Sequence, residues 1–76
     1  MPTSPLLDVV MAEIRAELAR QRMPQRRVAE ELGLSEAQIS ERFLGRVPLD
    51  VPELERIARL LGVTVGHFLP ASERAA

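Results

Sequence analysis

A short turn in the middle of the chain constrains the fold more than any other feature. Gly33, Leu34 and Ser35 separate two segments whose apolar residues recur at helical spacing. Glycine is typical of the residue that ends a helix, and Ser35 with Gln38 has the spacing of a capping box, so a helix should begin at Glu36. The sequence therefore predicts two short helices that cross at a steep angle.

The apolar residues of these two helices predict which of their faces lie inside. Val28, Ala29 and Leu32 give the first helix a narrow apolar face, and Ile39 and Phe43 anchor the second. The opposite face of the second helix then protrudes, and a protruding helix fits the major groove of DNA, which is about 12 Å wide. The residues predicted on that face are Ala37, Gln38 and Glu41, with Glu36 and Ser40 at its flanks.

Prolines and caps place the other helices. Ser4 and Pro5 predict the start of a first helix that ends near Arg22. Pro24 breaks that helix but fits the first turn of the next one.

The last third of the chain carries a second capping box. Asp50 with Glu53 predicts a fourth helix, and Gly62 should end it. Thr64 can cap a short fifth helix over residues 65–69. The expected architecture is an all-α, five-helix fold with an N-terminal arm at 1–4, one domain at 5–69 and a frayed, flexible tail at 70–76.

Composition narrows the chemistry that the chain can carry. With no cysteine and a single histidine, neither a disulfide nor a metal site is expected, and nothing indicates a cofactor or a small-molecule ligand. No catalytic set surrounds His67, which we expect to be a half-buried residue of the last helix, so the chain should not be an enzyme. No apolar run reaches the roughly 18 residues of a membrane span and no signal peptide is evident, which predicts a cytoplasmic protein.

The net charge of −1 does not favour a nucleic-acid binder, but the distribution of charge does. All ten basic residues are arginine, and four of them lie close together without an intervening acid: Arg20, Arg22, Arg26 and Arg27. Such a cluster either contacts phosphates or forms an ordinary solvated surface with pairs to Glu17, Glu30 or Glu31. Phosphate contact is favoured for Arg26 and Arg27, which lie at the start of the second helix.

At this point the sequence resembles the helix-turn-helix of the Cro and phage-repressor (XRE) family. The resemblance rests on Gln25-x-x-Val28-Ala29-x-x-Leu32-Gly33-Leu34-Ser35-x-x-x-Ile39-Ser40, followed by Gly45. It continues through Leu54-x-x-Ile57-Ala58-x-x-Leu61-Gly62-Val63, which is similar to the fourth helix of that family, and through Phe68-Leu69 in the fifth.

The resemblance implies a lambda-repressor-like domain that binds double-stranded DNA. By this similarity Gln25 and Arg46 match positions that contact backbone phosphate, and Glu36, Ala37 and Glu41 match positions that reach base edges. Beside them Arg42 either pairs within the chain, with Gln38 or Glu41, or reaches DNA.

This chain departs from the family pattern at several positions. Many relatives have neutral or basic residues where this chain has Glu36 and Glu41. A carboxylate only accepts hydrogen bonds, so it can read the N4 amino group of cytosine but repels nearby phosphates. Pro24 replaces the usual Ser or Thr cap, and Glu17 lies where the family more often has leucine.

The expected function is that of a sequence-specific, repressor-like transcriptional regulator. One reading helix covers only about 4–6 base pairs, so a homodimer on two half-sites about 34 Å apart is expected. The alternative is a protein-interaction module, such as an antitoxin, anti-repressor or accessory factor, with weak or no specific DNA binding; the acidic reading face and the outward position of Leu44 suggest it. The expected dimer interface is formed by Val63, Val65, Phe68 and Leu69.

Overall fold

The structure, a computed structural model, describes residues 5–74, and every regular element in that range is helical. This confirms the predicted all-α fold, although the predicted cap at Ser4 and the arm at 1–4 lie outside the described residues. The elements in chain order are α1 Pro5–Gln21, α2 Gln25–Leu32, α3 Glu36–Phe43, α4 Val51–Leu61, a 3₁₀ helix Val65–Phe68, and α5 Ala71–Arg74.

One apolar core joins α1, α2, α3, α4 and the 3₁₀ helix. Its centre is fully buried: Ile14 of α1, Val28 of α2, Ile57 of α4 and Phe68 of the 3₁₀ helix have no exposed surface. Burying a side chain of this size stabilises the fold by roughly 1.5–3 kcal/mol. The predicted inward faces of the helices are therefore confirmed. The buried apolar set is Val10, Met11, Ile14, Leu18, Val28, Ala29, Leu32, Ile39, Phe43, Leu49, Ile57, Ala58, Leu61 and Phe68.

The four longer helices end with the same backbone arrangement, a Schellman motif. At the end of α2 the amide of Leu34 donates to the carbonyl of Ala29 at 2.9 Å, and the amide of Gly33 donates to the carbonyl of Glu30 at 3.3 Å. The residue that follows such a helix adopts a left-handed conformation, which glycine takes without the steric cost of a Cβ. The left-handed residues are Arg22 (φ 55°), Gly33 (φ 69°), Gly45 (φ 79°) and Gly62 (φ 73°).

A buried carboxylate on α1 holds the C-terminal part of the chain. One oxygen of Glu17 accepts from Arg20 at 2.7 Å and from His67 Nε2 at 2.9 Å, and the other accepts from Gln21 at 2.9 Å. The Arg20 guanidinium, together with Gln21 and His67, lowers the pKa of Glu17 from 4.5 to about 2. Gln21 also donates to the carbonyl of Leu61 at 2.8 Å, so this cluster joins α1 to the ends of α4 and the 3₁₀ helix.

The C-terminal segment differs from the prediction in three ways. The predicted fifth helix is a single 3₁₀ turn, Val65–Phe68, and the Thr64 hydroxyl makes no capping hydrogen bond. A further helical turn, Ala71–Arg74, follows where a frayed tail was expected, and it packs on the 3₁₀ helix. The segment is too short to show a helical repeat of apolar residues in its sequence. Its helical turns are stabilised by contacts with the rest of the fold, which a local pattern does not reveal.

Candidate nucleic-acid interface

Caps and apolar anchors fix where α3 begins and which face it buries. Ser35 Oγ accepts the amide of Gln38 at 3.1 Å, and the side-chain oxygen of Gln38 accepts the amide of Ser35 at 2.8 Å, which confirms the predicted capping box. Ile39 and Phe43 of α3 lie in the core, and α2 packs against α3. The opposite face of α3 therefore stands away from the core.

The structure brings the predicted reading residues together on that outer face. Glu41 lies two positions from both Ile39 and Phe43, so with 3.6 residues per turn it points directly away from the core. The side-chain oxygen of Gln38 accepts one hydrogen bond in the capping box, and its amide nitrogen keeps two donors for a further partner. On this face Glu36, Ala37 and Gln38 are exposed, while Ser40 and Glu41 are half-buried.

The start of α2 presents a second group of predicted contacts. Gln25, Arg26 and Arg27 are exposed in the first turn of the helix. Pro24 is the N-cap, and its side chain makes no capping bond. The amide of Arg27 donates to the carbonyl of Pro24 at 3.0 Å, so the amides at this helix end that could suit a phosphate are those of Gln25 and Arg26. Arg27 lies 3.6 Å from Glu31, and no ion pair of Arg26 is found in the described part of the chain.

Arg46 is tied to α3 by backbone and side chain together. The Schellman motif at Gly45 directs the amide of Arg46 to the carbonyl of Glu41 at 3.0 Å. The Arg46 guanidinium then reaches the Glu41 carboxylate at 2.9 Å. A predicted phosphate contact and a predicted base contact are thus partners of each other.

Arg42 is committed to contacts inside the chain. Its Nε lies 3.3 Å from Glu53, Nη1 donates to the carbonyl of Gln38 at 3.1 Å, and the side chain is only 17% exposed. Glu53 uses its other oxygen to accept the amide of Asp50 at 3.0 Å, as the second predicted capping box requires. Arg42 was expected either to pair within the chain or to reach DNA. In the free protein it pairs within the chain, and its acidic partner is Glu53 rather than Glu41.

One residue that supports the site was not predicted. Arg15 of α1 donates to the carbonyl of Phe43 at 2.9 Å, where the last turn of α3 leaves carbonyls without helical partners. The signal was its position four residues after Met11, which places Arg15 on the edge of the buried face of α1. A cleft of about 180 Å³ lies beside this contact, smaller than the roughly 300 Å³ at which ligand pockets begin.

Charge is balanced across the candidate interface. Residues 24–47 contain four arginines and four glutamates. Ion pairs within the chain link Arg27 to Glu31 and Arg46 to Glu41. The local potential is therefore close to neutral, and a strong attraction to arbitrary DNA is not expected.

The predicted dimer residues do not all lie on the surface. Phe68 is fully buried in the core of the single chain, so its ring cannot also contact a partner. Val63, Val65 and Leu69 are partly buried and pack against the core. The candidate patch is therefore reduced to these three.

Within residues 5–74, no helix combines the length and the apolar character that crossing a membrane requires.

Comparison with known proteins supports the same region. The family model HTH_3, described as helix-turn-helix, matches residues 14–68. A solved structure described as a hypothetical transcription factor, NHTF, from Neisseria has a TM-score of 0.72 with 26% identity; the match covers 97% of this chain and 85% of that one. No curated protein matches the chain. Because the family model spans α2, α3 and most of the remaining chain, this protein belongs to the helix-turn-helix family of DNA-binding regulators, of the XRE type.

Proposed function

We propose that the protein is a sequence-specific transcriptional regulator of repressor type that reads the major groove with α3. The observation that carries the proposal is the pairing of two surfaces: the outer face of α3 exposes Ala37 and Gln38, and the first turn of α2 exposes Gln25 and Arg26. Base contacts then come from α3, and phosphate contacts come from the start of α2. The solved structure described as a hypothetical transcription factor is consistent with this role.

The salt dependence of DNA binding tests the proposal. We expect weak retention of a random-sequence duplex in low salt, at about 50 mM, with an affinity that falls as salt increases. Replacing Arg26 with alanine should weaken binding to every sequence and reduce the slope of log K against log salt by about 0.9, the value for one phosphate contact. Arg59→Ala is the matched control, because Arg59 is an exposed arginine in the last turn of α4, at the opposite end of that helix from Glu53.

The proposed regulator acts as a homodimer. A single α3 contacts too few base pairs for a unique site, and the partly buried Val63, Val65 and Leu69 offer apolar surface near the C-terminal end of the domain. Sedimentation at high micromolar concentration, with and without a duplex, should show a dimer in at least one condition. A strict monomer in both contradicts this part of the proposal.

A second candidate function is a protein-interaction module that keeps the fold without specific DNA binding. The neutral interface favours it, as do the exposed apolar side chains Leu44 and Val51, which are 62% and 65% exposed. A surface of this kind suits a protein partner better than a phosphate backbone. Absence of duplex retention even at about 50 mM salt would establish this second function over the first.

A further inference from the structure

The Glu41–Arg46 ion pair has an unusual position for two residues of a DNA-reading surface. Both side chains remain accessible, at 42% and 67% exposure, yet each is the other's partner at 2.9 Å. The pair does not depend on side chains alone, because the amides of Arg46 and Val47 both donate to the carbonyl of Glu41. The loop after α3 is thus folded back so that the guanidinium remains near the carboxylate.

This pairing withdraws Arg46 from contact with arbitrary DNA. A phosphate has to compete with the Glu41 carboxylate for the guanidinium, and a carboxylate whose cation turns away faces the negative backbone. The two effects oppose each other, so the net gain from such a contact is small on most sequences.

A cytosine opposite Glu41 changes this balance. Its N4 amino group presents a donor in the major groove, and a glutamate carboxylate is a natural acceptor for it. The amino group can take the place of the guanidinium at the carboxylate, and Arg46 is then released to a phosphate.

We propose that Glu41 and Arg46 are a partner-exchange pair, in which Glu41 determines specificity for cytosine by releasing Arg46 only when that base is present. The inference rests on the proposed function and concerns this pair alone. The Arg27–Glu31 pair is longer, at 3.6 Å, and both of its members lie on α2 rather than on the reading helix.

Salt dependence on a random-sequence duplex tests the withdrawal of Arg46. Arg46→Ala should leave the slope of log K against log salt unchanged, because Arg46 makes no phosphate contact there. Glu41→Gln should free Arg46 and steepen the slope by about 0.9, and Glu41→Gln with Arg46→Ala should lose that increment. Glu55→Gln is the matched control for net charge, since Glu55 is exposed and lies on the opposite side of α4 from Glu53.

Selection from a random duplex pool tests the choice of base. The wild-type protein should select a site with a fixed cytosine at one position of each half-site, and Glu41→Gln should lose the preference at that position while keeping the others. Glu41→Gln and Arg46→Ala both change solvent-accessible side chains, and thermal melts will verify that these variants fold.

Three results would overturn the inference while leaving the proposed function intact. One is a slope that falls by about 0.9 in Arg46→Ala alone, which would mean that Arg46 already contacts phosphate. Another is a Glu41→Gln slope no steeper than that of Glu55→Gln. The third is an unchanged base preference in Glu41→Gln. If no variant binds any duplex in low salt, the proposed function itself is wrong, and the inference with it.

Discussion

At the scale of single residues, Arg22 adopts a left-handed conformation that, among residues 5–74, is otherwise found only at glycines. It has φ 55°, and it closes α1 with the same pair of hydrogen bonds that Gly33 and Gly62 complete at the ends of α2 and α4. A left-handed conformation costs a residue with a Cβ roughly 1–2 kcal/mol. The strain at Arg22 has no counterpart at the other two positions.

Replacing Arg22 with glycine should therefore stabilise the protein. The expected gain is about 1 kcal/mol, which for a domain of this size raises the melting temperature by about 4–8 °C. Arg22→Ala is the control, because it removes the same charge but keeps the Cβ. Thermal melts followed by circular dichroism measure both, and equal melting temperatures for the two variants would refute the strain argument.

Glu17 should make the free energy of unfolding depend on pH. Its pKa is held at about 2 by Arg20, Gln21 and His67, whereas it is 4.5 in the absence of these partners. A lowered pKa stabilises the fold fully above pH 4.5, and this contribution is lost as the pH falls towards about 2.

The comparison of wild type with Glu17→Gln isolates that effect. The variant should be less stable at pH 7, and the difference between the two proteins should narrow as the pH falls from 4.5 towards 2. Chemical denaturation at a series of pH values measures it, with Glu13→Gln, an exposed change on α1, as the control. A difference that stays constant over this range contradicts the assigned role of Glu17.

At the scale of helices, the parts that could be predicted are those that depend on neighbours in sequence. The capping boxes at Ser35 and Asp50 and the left-handed glycine at Gly33 follow from contacts within four residues, and all three were predicted. The hydrogen bonds between Arg15 and the Phe43 carbonyl and between His67 and Glu17 join residues far apart in sequence. No local pattern carries such contacts, because they arise only when the core brings the helices together.

The same distinction applies to the candidate site. The inward face of α3 sets the direction of its outer face, so the reading residues could be named from periodicity alone. The state of each charged side chain could not, because Arg42 has Gln38 and Glu53 within reach and only the fold decides that both are used. The assignment of Phe68 to a dimer surface was wrong for the same reason. The sequence shows that the residue is apolar, but it does not show whether the side chain lies in the core of the chain or on its surface.

Arg42→Ala tests whether this arginine joins α3 to α4. Removing it leaves Glu53, which is 17% exposed, without its cation, and we expect a loss of about 1–2 kcal/mol in the free energy of unfolding. Arg59→Ala should stay within about 0.5 kcal/mol of wild type, as is usual for an exposed residue. Equal stability of the two variants would mean that Arg42 has no structural role in the free protein.

At the scale of the whole molecule, a single small core supports two exposed surfaces that point away from it. The start of α2 and the outer face of α3 belong to helices whose inner faces share the same buried cluster, so their relative position is fixed by packing. Because the charges of residues 24–47 balance, the proposed DNA recognition should depend on this geometry more than on long-range attraction. That these two surfaces bind DNA together is the central claim of the proposed function.

A titration of the ¹⁵N-labelled protein with a DNA duplex tests this claim most directly. We predict that amide signals of Gln25, Arg26 and Arg27 shift together with those of residues 36–46. Signals from the Glu17 cluster, at Gln21 and His67, should change little. Shifts confined to the C-terminal segment or spread evenly over the surface, with α3 unaffected, would contradict the account.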